Sequence, residues 1–486
     1  MVRLNKFKIF IYLFISALFY ILSFPPFNFS FLIFFTLVPL FSILPEITQK
    51  KAFILGFLYG IGFNSVNFYW IPSLVSHFTS IGLSIFVYLL LIIYLSIYYG
   101  IFLWGVKRKE NSIFFPAFFM VFIQWIRSHG PLAFNWGSFG EPLVHIYPLL
   151  QWASVFGELG LVFLVVLVNT IIARFKELDF RRKISFILVF ISLFFVGFFI
   201  GRRDYNSFIK VGAVQGSYDS FSKYFYTNIY DQFKVHKDLT LNLPDNLDLV
   251  VWAESVLFCY LNHSPLYLKE LRELAELKNT NLLLGSLEMK GRNIYNSAYL
   301  ITKDGRYDVH RKAQLVPFVE EVPFPFNYII PEYFRGLVGN YSRGPGFYPL
   351  SIDGENIGVL ICFESLFSDP SRLLSQRHSD IIVVITNDGW FQGTPAVYQH
   401  KNQSLLRGVE NRRPIIQVAN TGITFFADPY GSIIKETKEG EKVAIYGEVP
   451  KGGFSLYTFW GDIPLFLGFL IFLLIKLIKN EKDNFS

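Results

Sequence analysis

Long apolar runs, broken by short polar clusters, fill the first part of the chain, and one more lies near its end. A run of roughly 20 apolar residues is the length of helix that crosses a hydrocarbon layer. By that measure eight segments are expected to span a membrane: 7–24, 28–45, 52–71, 82–106, 112–126, 149–173, 184–201 and 461–478. The interval 204–460 holds no such run. Its apolar stretches are short and separated by polar turns, as in a domain with an aqueous surface. The stretches "IKVGAVQ", "LDLVVW", "TNLLLGSLE", "IGVLIC", "SDIIVVITN" and "PIIQVAN" each read as a buried strand. "SPLYLKELRELAELKN" lies between two of them and has helical spacing. Strands alternating with helices predict α/β layering. The chain therefore divides into 1–203 with seven spans, an α/β domain over 204–460, and 461–486 with an eighth span and a tail.

Composition agrees with this division. The 486 residues are 52% hydrophobic and 19% aromatic, too apolar for an ordinary soluble protein. Net charge is +7, but it is unevenly placed. The span-bearing parts hold 19 basic and 9 acidic side chains, leaving 25 basic and 28 acidic for 204–460. A slightly acidic domain is a poor nucleic-acid binder, so that class is set aside. The excess Lys and Arg fall in alternate loops, at 3–8, 50–51, 107–109, 174–183 and 476–482. The other short loops hold only Arg127, with Arg202 and Arg203 at the seventh exit. The positive-inside rule then puts both termini in the cytoplasm and 204–460 on the far side. The first span begins with basic residues, as a signal peptide does. No small-residue cleavage site precedes "SFPPFNFS", so it is expected to stay as a span.

Polar residues collect at the downstream ends of the predicted strands, where layered α/β folds place their chemistry. "VVWAES" ends in Glu254, "GVLICFE" in Cys362 and Glu364, and "VVITNDGWF" in Asn387 and Asp388. The segment "HRKAQLVPFVEEVPFP" carries Lys312 and Glu320 and is too rich in Pro and charge for a strand interior, so it reads as an active-site loop. Each residue alone has a plain reading. A strand-end Cys is most often a small hydrophobe, and a Glu or Lys beside a turn is most often solvated. Together they make a set. A thiol needs a base, and Glu254 can take its proton. A tetrahedral intermediate needs a positive group near its oxyanion, and Lys312 can supply one. Two cysteines and no close His cluster leave no zinc set, so no metal is expected. The second cysteine, Cys259, reads as a small hydrophobe that does not pair with Cys362.

The order Glu, Lys, Cys in the contexts "WAES", "RKAQLVPFVEEVP" and "LICFE" resembles the nitrilase superfamily, with its α-β-β-α sandwich and Glu-Lys-Cys triad. Within it, the chain is similar to the apolipoprotein N-acyltransferase family, whose nitrilase-like domain sits between seven spans and an eighth. "GFLYGIGFNSVNFYWI", "NWGSFGEP", "PLLQWASVFGELGLVFLVVLVN", "LVPFVEEVP", "TNDGWF" and "RRPIIQVANTGIT" carry that likeness over nearly the whole chain. The resemblance implies Glu254 as general base, Lys312 as oxyanion stabiliser and Cys362 as nucleophile. It implies Glu320 as the carboxylate that positions the lysine, and Glu364 as a supporting acid. Tyr224 stands where the family has Trp, and Phe363 where it has Tyr. With Asn387 and Trp390 they are the candidates for substrate contact or a lid. "WAE" in place of "WPE" and "NDGWFQ" in place of "NDAWFG" are further departures.

The implied reaction moves an acyl chain from a phospholipid, typically phosphatidylethanolamine, through a Cys362 thioester to the α-amine of S-diacylglyceryl-cysteine in an apolipoprotein. No cofactor is implied. A monomer in the bacterial inner membrane with its catalytic domain outside the cytoplasm is expected. The loops "PFPFNYIIPEYF" and "WFQGTPAVYQ" are aromatic enough to dip toward a membrane, or to pack on their own domain. Two other readings remain open: a membrane-anchored nitrilase-type amidase acting on a soluble small molecule, and a non-catalytic receptor or transporter. The spans carry few ionisable residues, Glu158 being the clear one, which speaks against a transport path.

Overall fold

A computed structural model describes residues 6–77, 79–109, 112–202, 205, 207–218, 229–328 and 339–484. Four of its helices are long and apolar enough to cross a membrane: Lys6–Ser23, Ile81–Arg108, Ala153–Ala173 and Phe180–Ile200. The eight full-length spans expected from the apolar runs are not all of this kind. Phe115–Arg127 has 13 residues. At a rise of about 1.5 Å each it covers about 20 Å, short of the roughly 30 Å of a hydrocarbon layer. Gln49–Asn67 has 19 residues but begins with three polar ones. The last helix is Ile463–Asn484.

The segment 28–45 departs furthest from expectation. It folds as a 3₁₀ turn at Ser30–Phe34, a short helix at Val38–Ile43 and another 3₁₀ turn at Leu44–Glu46. Pro39 and Pro45 each stand in the first turn of a piece. Proline has no N–H and clashes with the preceding turn, so one continuous helix cannot form across both. The broken backbone is nonetheless buried, with Ile33, Leu37, Leu40 and Ile43 all at 0% exposure. Asn169, from the Ala153–Ala173 helix, satisfies it. Its Nδ2 donates to the Ile33 carbonyl at 2.9 Å, and its Oδ1 accepts from the Leu37 N–H at 2.8 Å. Irregular backbone in an apolar setting survives where protein supplies such partners. Elsewhere small residues let helices approach: a Cβ on Gly56 would collide with the Tyr99 carbonyl of the neighbouring helix.

Two mixed sheets follow. The first has seven strands: β1 (Phe208–Gln215), β2 (Leu249–Trp252), β3 (Leu257–Tyr260), β4 (Asn281–Lys290), β5 (Asn293–Ile301), β6 (Tyr307–Arg311) and β13 (Val443–Pro450). Its order is β13-β1-β2-β4-β5-β6, with β3 beside β4. The second has β7 (Leu350–Ile352), β8 (Glu355–Ile361), β9 (Ile381–Thr386), β10 (Ile415–Ala419), β11 (Phe425–Ala427) and β12 (Ile433–Glu436), in order β12-β11-β10-β9-β8-β7. Strands β8, β9 and β10 are parallel and buried on both faces, which accounts for their uninterrupted apolar sequences. Side chains alternate along them. Val359, Ile361, Val383, Ile385, Ile416 and Val418 share one core with the first sheet. Leu360, Ile382, Val384 and Ile415 point the other way, into a core continuous with the apolar helices of the first part of the chain. The helices Ser368–Gln376 and Pro395–Asn411 lie in that second layer. The sheet that carries the nucleophile candidate is therefore seated directly on the helical part.

Candidate active site

Four strands deliver the polar set. Glu254 lies two residues past β2, Lys312 directly after β6, Cys362 directly after β8 and Asn387 directly after β9. Lys312 is 1% exposed, and its Nζ donates to Glu320 Oε1 at 2.9 Å and sits 3.6 Å from Glu254 Oε1. Burial works against its charge, but Glu320, Glu254 and Cys362 outweigh burial and hold its pKa above the ordinary lysine value. Asn296 of β5 ties the two acids together, its Nδ2 donating to Glu254 Oε1 at 2.8 Å and to Glu320 Oε1 at 3.2 Å. The other oxygen of Glu254 accepts from the Asn387 N–H at 3.0 Å, and that of Glu320 from the Val316 N–H at 2.8 Å.

Cys362 is half-buried and takes φ of 53°, in the left-handed region. A non-glycine residue there costs about 1–3 kcal/mol and persists only where its surroundings hold it. Glu364, fully buried, is one holder. Its Oε1 accepts from the Ala313 and Gln314 N–H groups at 2.7 and 3.0 Å, and its Oε2 from the Ile361 N–H at 2.8 Å. One carboxylate thus pins the lysine loop to the nucleophile turn. The second holder is His400, from the Pro395–Asn411 helix. Its Nε2 lies 2.8 Å from Ser365 Oγ and 3.3 Å from the Cys362 carbonyl, while Nδ1 lies 2.8 Å from Asp388 Oδ1. Burial opposes protonation of His400, but Asp388 outweighs it and the pKa is raised. The imidazole therefore grips the main chain of the turn rather than the thiol.

The thiol itself is held protonated. Burial and the Glu254 carboxylate raise its pKa, Asp388 adds to this, and Lys312 and Thr386 pull it down. A thiol whose pKa is raised beside Glu254 is arranged so that loss of its proton can be coupled to attack on a carbonyl. Lys312, with Glu320 as a second counter-ion beside Glu254, can face an oxyanion formed there.

The structure brings Glu254, Lys312, Cys362, Glu320 and Glu364 into one buried constellation. Asn387 contributes its N–H, and its Oδ1 accepts from Asn420 Nδ2 at 3.1 Å. Phe363 is 6% exposed and packs edge-on against Phe367, with ring centres 5.1 Å apart. Trp390 is partly buried on the apolar core shared with the helices. Tyr224 lies outside the described residues, as does the second half of the "PFPFNYIIPEYF" loop. In its described half, Phe324 and Tyr328 are largely exposed. Cys259 and Cys362 are both free thiols. Asn296 and His400 were not singled out from the sequence. An Asn inside an apolar strand is costly unless bonded, which is a usable signal. His400 reaches the site only through tertiary packing and leaves no local trace.

A cavity of 670 Å³ opens beside this constellation. Its lining includes Ala313 and Phe363, the chain neighbours of Lys312 and Cys362, together with residues from the helical part.

Residues 16–171 match the family model described as "Apolipoprotein N-acyltransferase N-terminal domain", and residues 210–455 match "Carbon-nitrogen hydrolase". An apolipoprotein N-acyltransferase of Geobacter metallireducens is 30% identical over 477 residues, covering 92% of this chain and 91% of its own. One of Thermotoga maritima is 29% identical over 490 residues, covering 95% of this chain and 92% of its own. Among solved structures, a carbon-nitrogen hydrolase from Helicobacter pylori is similar over 50% of this chain and 89% of its own, at 15% identity and a TM-score of 0.40.

Proposed function

The chain belongs to the apolipoprotein N-acyltransferase family, and on that premise we propose that it moves an acyl chain from a phospholipid, through a thioester on Cys362, to the N-terminal α-amine of an apolipoprotein. Cys362 Sγ attacks the ester carbonyl as its proton passes to Glu254. The oxyanion of the tetrahedral intermediate faces the Lys312 ammonium. Collapse expels the lysophospholipid alkoxide, which takes the proton from Glu254. In the second half-reaction the α-amine of S-diacylglyceryl-cysteine attacks the thioester. Glu254 accepts the amine proton and returns it to the departing Cys362 sulfur. Glu320 positions Lys312 and Glu364 positions the turn.

The observation that carries this reading is the buried ammonium of Lys312, shared between Glu320 and Glu254 next to a strand-end thiol. The proposed domain limits are 1–203, 204–460 and 461–486. Eight crossings of a bacterial inner membrane are proposed, with the shorter and broken segments counted among them. The proposal puts both termini in the cytoplasm, the catalytic domain outside it, phosphatidylethanolamine as donor and a monomer as the working unit. The Lys/Arg asymmetry and the exposed Phe324 and Tyr328 near the site support this arrangement.

The test is to incubate the purified full-length protein with phospholipid alone and locate an acyl group by mass spectrometry of peptides. An acyl group on Cys362, discharged when a diacylated lipopeptide is added, is the expected result. Turnover with no acyl-Cys362 at any time overturns the thioester route.

A further inference from the structure

One wall of the cavity is acidic, and none of the steps above uses it. Glu158, from the Ala153–Ala173 helix, lines the cavity and is 2% exposed. The helix is kinked at Gly157, which takes φ of 66°, and this frees the Glu158 N–H to donate to Glu410 Oε1 at 2.8 Å. The side chain is half satisfied. Glu158 Oε2 accepts from Asn135 Nδ2 at 3.0 Å and Arg407 Nη2 at 2.9 Å. Oε1 has no hydrogen-bond partner among the described residues. Asp462, at the head of the last helix, lines the same cavity, and its Oδ1 likewise has no partner among the described residues. A buried acceptor left without a donor costs about 1–3 kcal/mol, and more when charged.

The local charge balance also leaves acid in excess. Glu158 and Glu410 share the single guanidinium of Arg407, which lies 3.2 Å from Glu410. Asp369 is already paired, with His129 at 3.3 Å and Arg372 at 3.3 Å, so Asp462 has neither to itself. Glu321 and Arg343, which also line the cavity, neutralise each other. The remaining lining includes Leu159, Leu315, Phe347, Phe363 and Phe367. Among the described residues, no group of three His, Cys, Asp or Glu side chains could hold a metal ion. Open carboxylate oxygens between apolar walls therefore suit an organic cation on an amphiphile. A primary ammonium, with three N–H donors, can serve both oxygens at once.

We propose that Glu158 Oε1 and Asp462 Oδ1 form a binding site for the primary ammonium of a lipid substrate, next to the acyl-transfer centre. This rests on the lipid acyl-transfer reading. The ammonium has two possible sources of identical chemistry: an aminated headgroup on the donor, or the α-amine of the acceptor before it loses its proton. In either case the site holds its lipid in a cavity that Phe363 and Ala313, the chain neighbours of Cys362 and Lys312, also line.

The experiment compares the full-length protein with Glu158→Gln and Asp462→Asn in detergent micelles. Three rates are read: alkylation of Cys362 by iodoacetamide, acylation of Cys362 by phosphatidylethanolamine without acceptor, and discharge of the acyl-enzyme to a diacylated lipopeptide. Each variant is expected to keep the alkylation rate. In one of the other two steps, its half-saturating lipid concentration rises about tenfold, the loss expected for one charge-assisted hydrogen bond. A rise confined to acylation identifies the donor headgroup; a rise confined to discharge identifies the acceptor amine. Unchanged concentrations in both steps overturn the site, as does a fall in alkylation that parallels the fall in activity. If Glu158→Gln does not fold, because it disturbs the Arg407 pair, Asp462→Asn decides alone. Failure of the unaltered protein to acylate Cys362 from any phospholipid instead overturns the acyl-transfer reading beneath the proposal.

Discussion

At Cys362 the decisive quantity is the balance between Glu254, which raises the thiol pKa along with burial, and Lys312, which lowers it. This balance predicts opposite effects on reactivity and on catalysis. Glu254→Gln removes the carboxylate, so the thiol pKa falls and a larger fraction is thiolate at pH 8. Alkylation by iodoacetamide should quicken, while acyl transfer falls by about 100-fold or more for want of a base. Slower alkylation in that variant would show that Glu254 does not face the thiol. Lys312 gives a second contrast. Its pKa is raised, so its charge persists through the physiological range and is lost only as pH climbs past the ordinary lysine value. Its charge is not in question, but its shape is. The ammonium is 1% exposed and fits between two carboxylates. A planar guanidinium cannot occupy that point. Lys312→Arg should therefore lose nearly as much kcat as Lys312→Ala, about 100-fold or more; an Arg variant retaining most of the activity would reduce Lys312 to a generic positive charge. The grouping of Glu254, Lys312 and Cys362 was legible because all three follow predicted strands and together resemble a family motif, though each alone has an ordinary reading. Asn296 and His400 were not, because each acts by reaching across the fold to a residue distant in sequence.

Among elements, the nucleophile turn Cys362–Leu366 is the one most dependent on others. Its left-handed first residue is held from one side by Glu364 and from the other by His400. Glu364 accepts three backbone N–H bonds and offers no donor. Glu364→Gln turns one acceptor oxygen into an NH₂ facing backbone N–H groups. That exchange should cost about 1–3 kcal/mol of stability. It should also lower kcat more than it raises KM, since the lysine loop and the turn lose their common anchor. A drop in melting temperature with kcat unchanged would make Glu364 structural only. The strands were legible for a related reason: parallel strands buried on both faces read as short unbroken apolar runs. By the same rule the segment 28–45 reads as one continuous helix, which it is not. Its composition is that of a span, but Pro39 and Pro45 break it, and only the distant Asn169 makes the broken form tolerable. Apolarity reports burial; it does not report whether the buried backbone is one helix.

Across the whole molecule, the catalytic layer and the helices share one continuous core and a belt of buried polar bonds. Asn135 donates to the Leu366 carbonyl at 2.8 Å, Trp136 to Gln399 at 2.6 Å, and Arg412 to Gln151 and Ser154 at 2.7 and 2.9 Å. Arg412 is 4% exposed, has φ of 51° and stacks on Tyr430, with 4.4 Å to the ring centre. Removing it strands several buried acceptors together, so Arg412→Ala should lower stability by about 2–5 kcal/mol. Protease sensitivity just after Ile200 is the readout, because the Ile200 carbonyl loses its bond from Arg412 Nη2. A catalytic layer seated on the helices in this way shares their orientation in the membrane, which the proposed topology makes testable. On the proposed topology, the Lys and Arg side chains of alternate loops, at 107–109, 174–183 and 476–482, are cytoplasmic. Reporters fused at residues 110, 178 and 486 should then be cytoplasmic, and reporters fused just after 204 and near 460 should be extracytoplasmic. The broken segment 28–45 sharpens this test. If it enters and leaves by the same face, the N-terminus is exchanged relative to 50–51 and every later loop, and a reporter at the N-terminus would lie opposite one at 50. Agreement between the N-terminus and 50 means that 28–45 crosses despite its prolines. A cytoplasmic signal from 204–460 would separate the site from lipoprotein substrates and sink the proposed reaction with it.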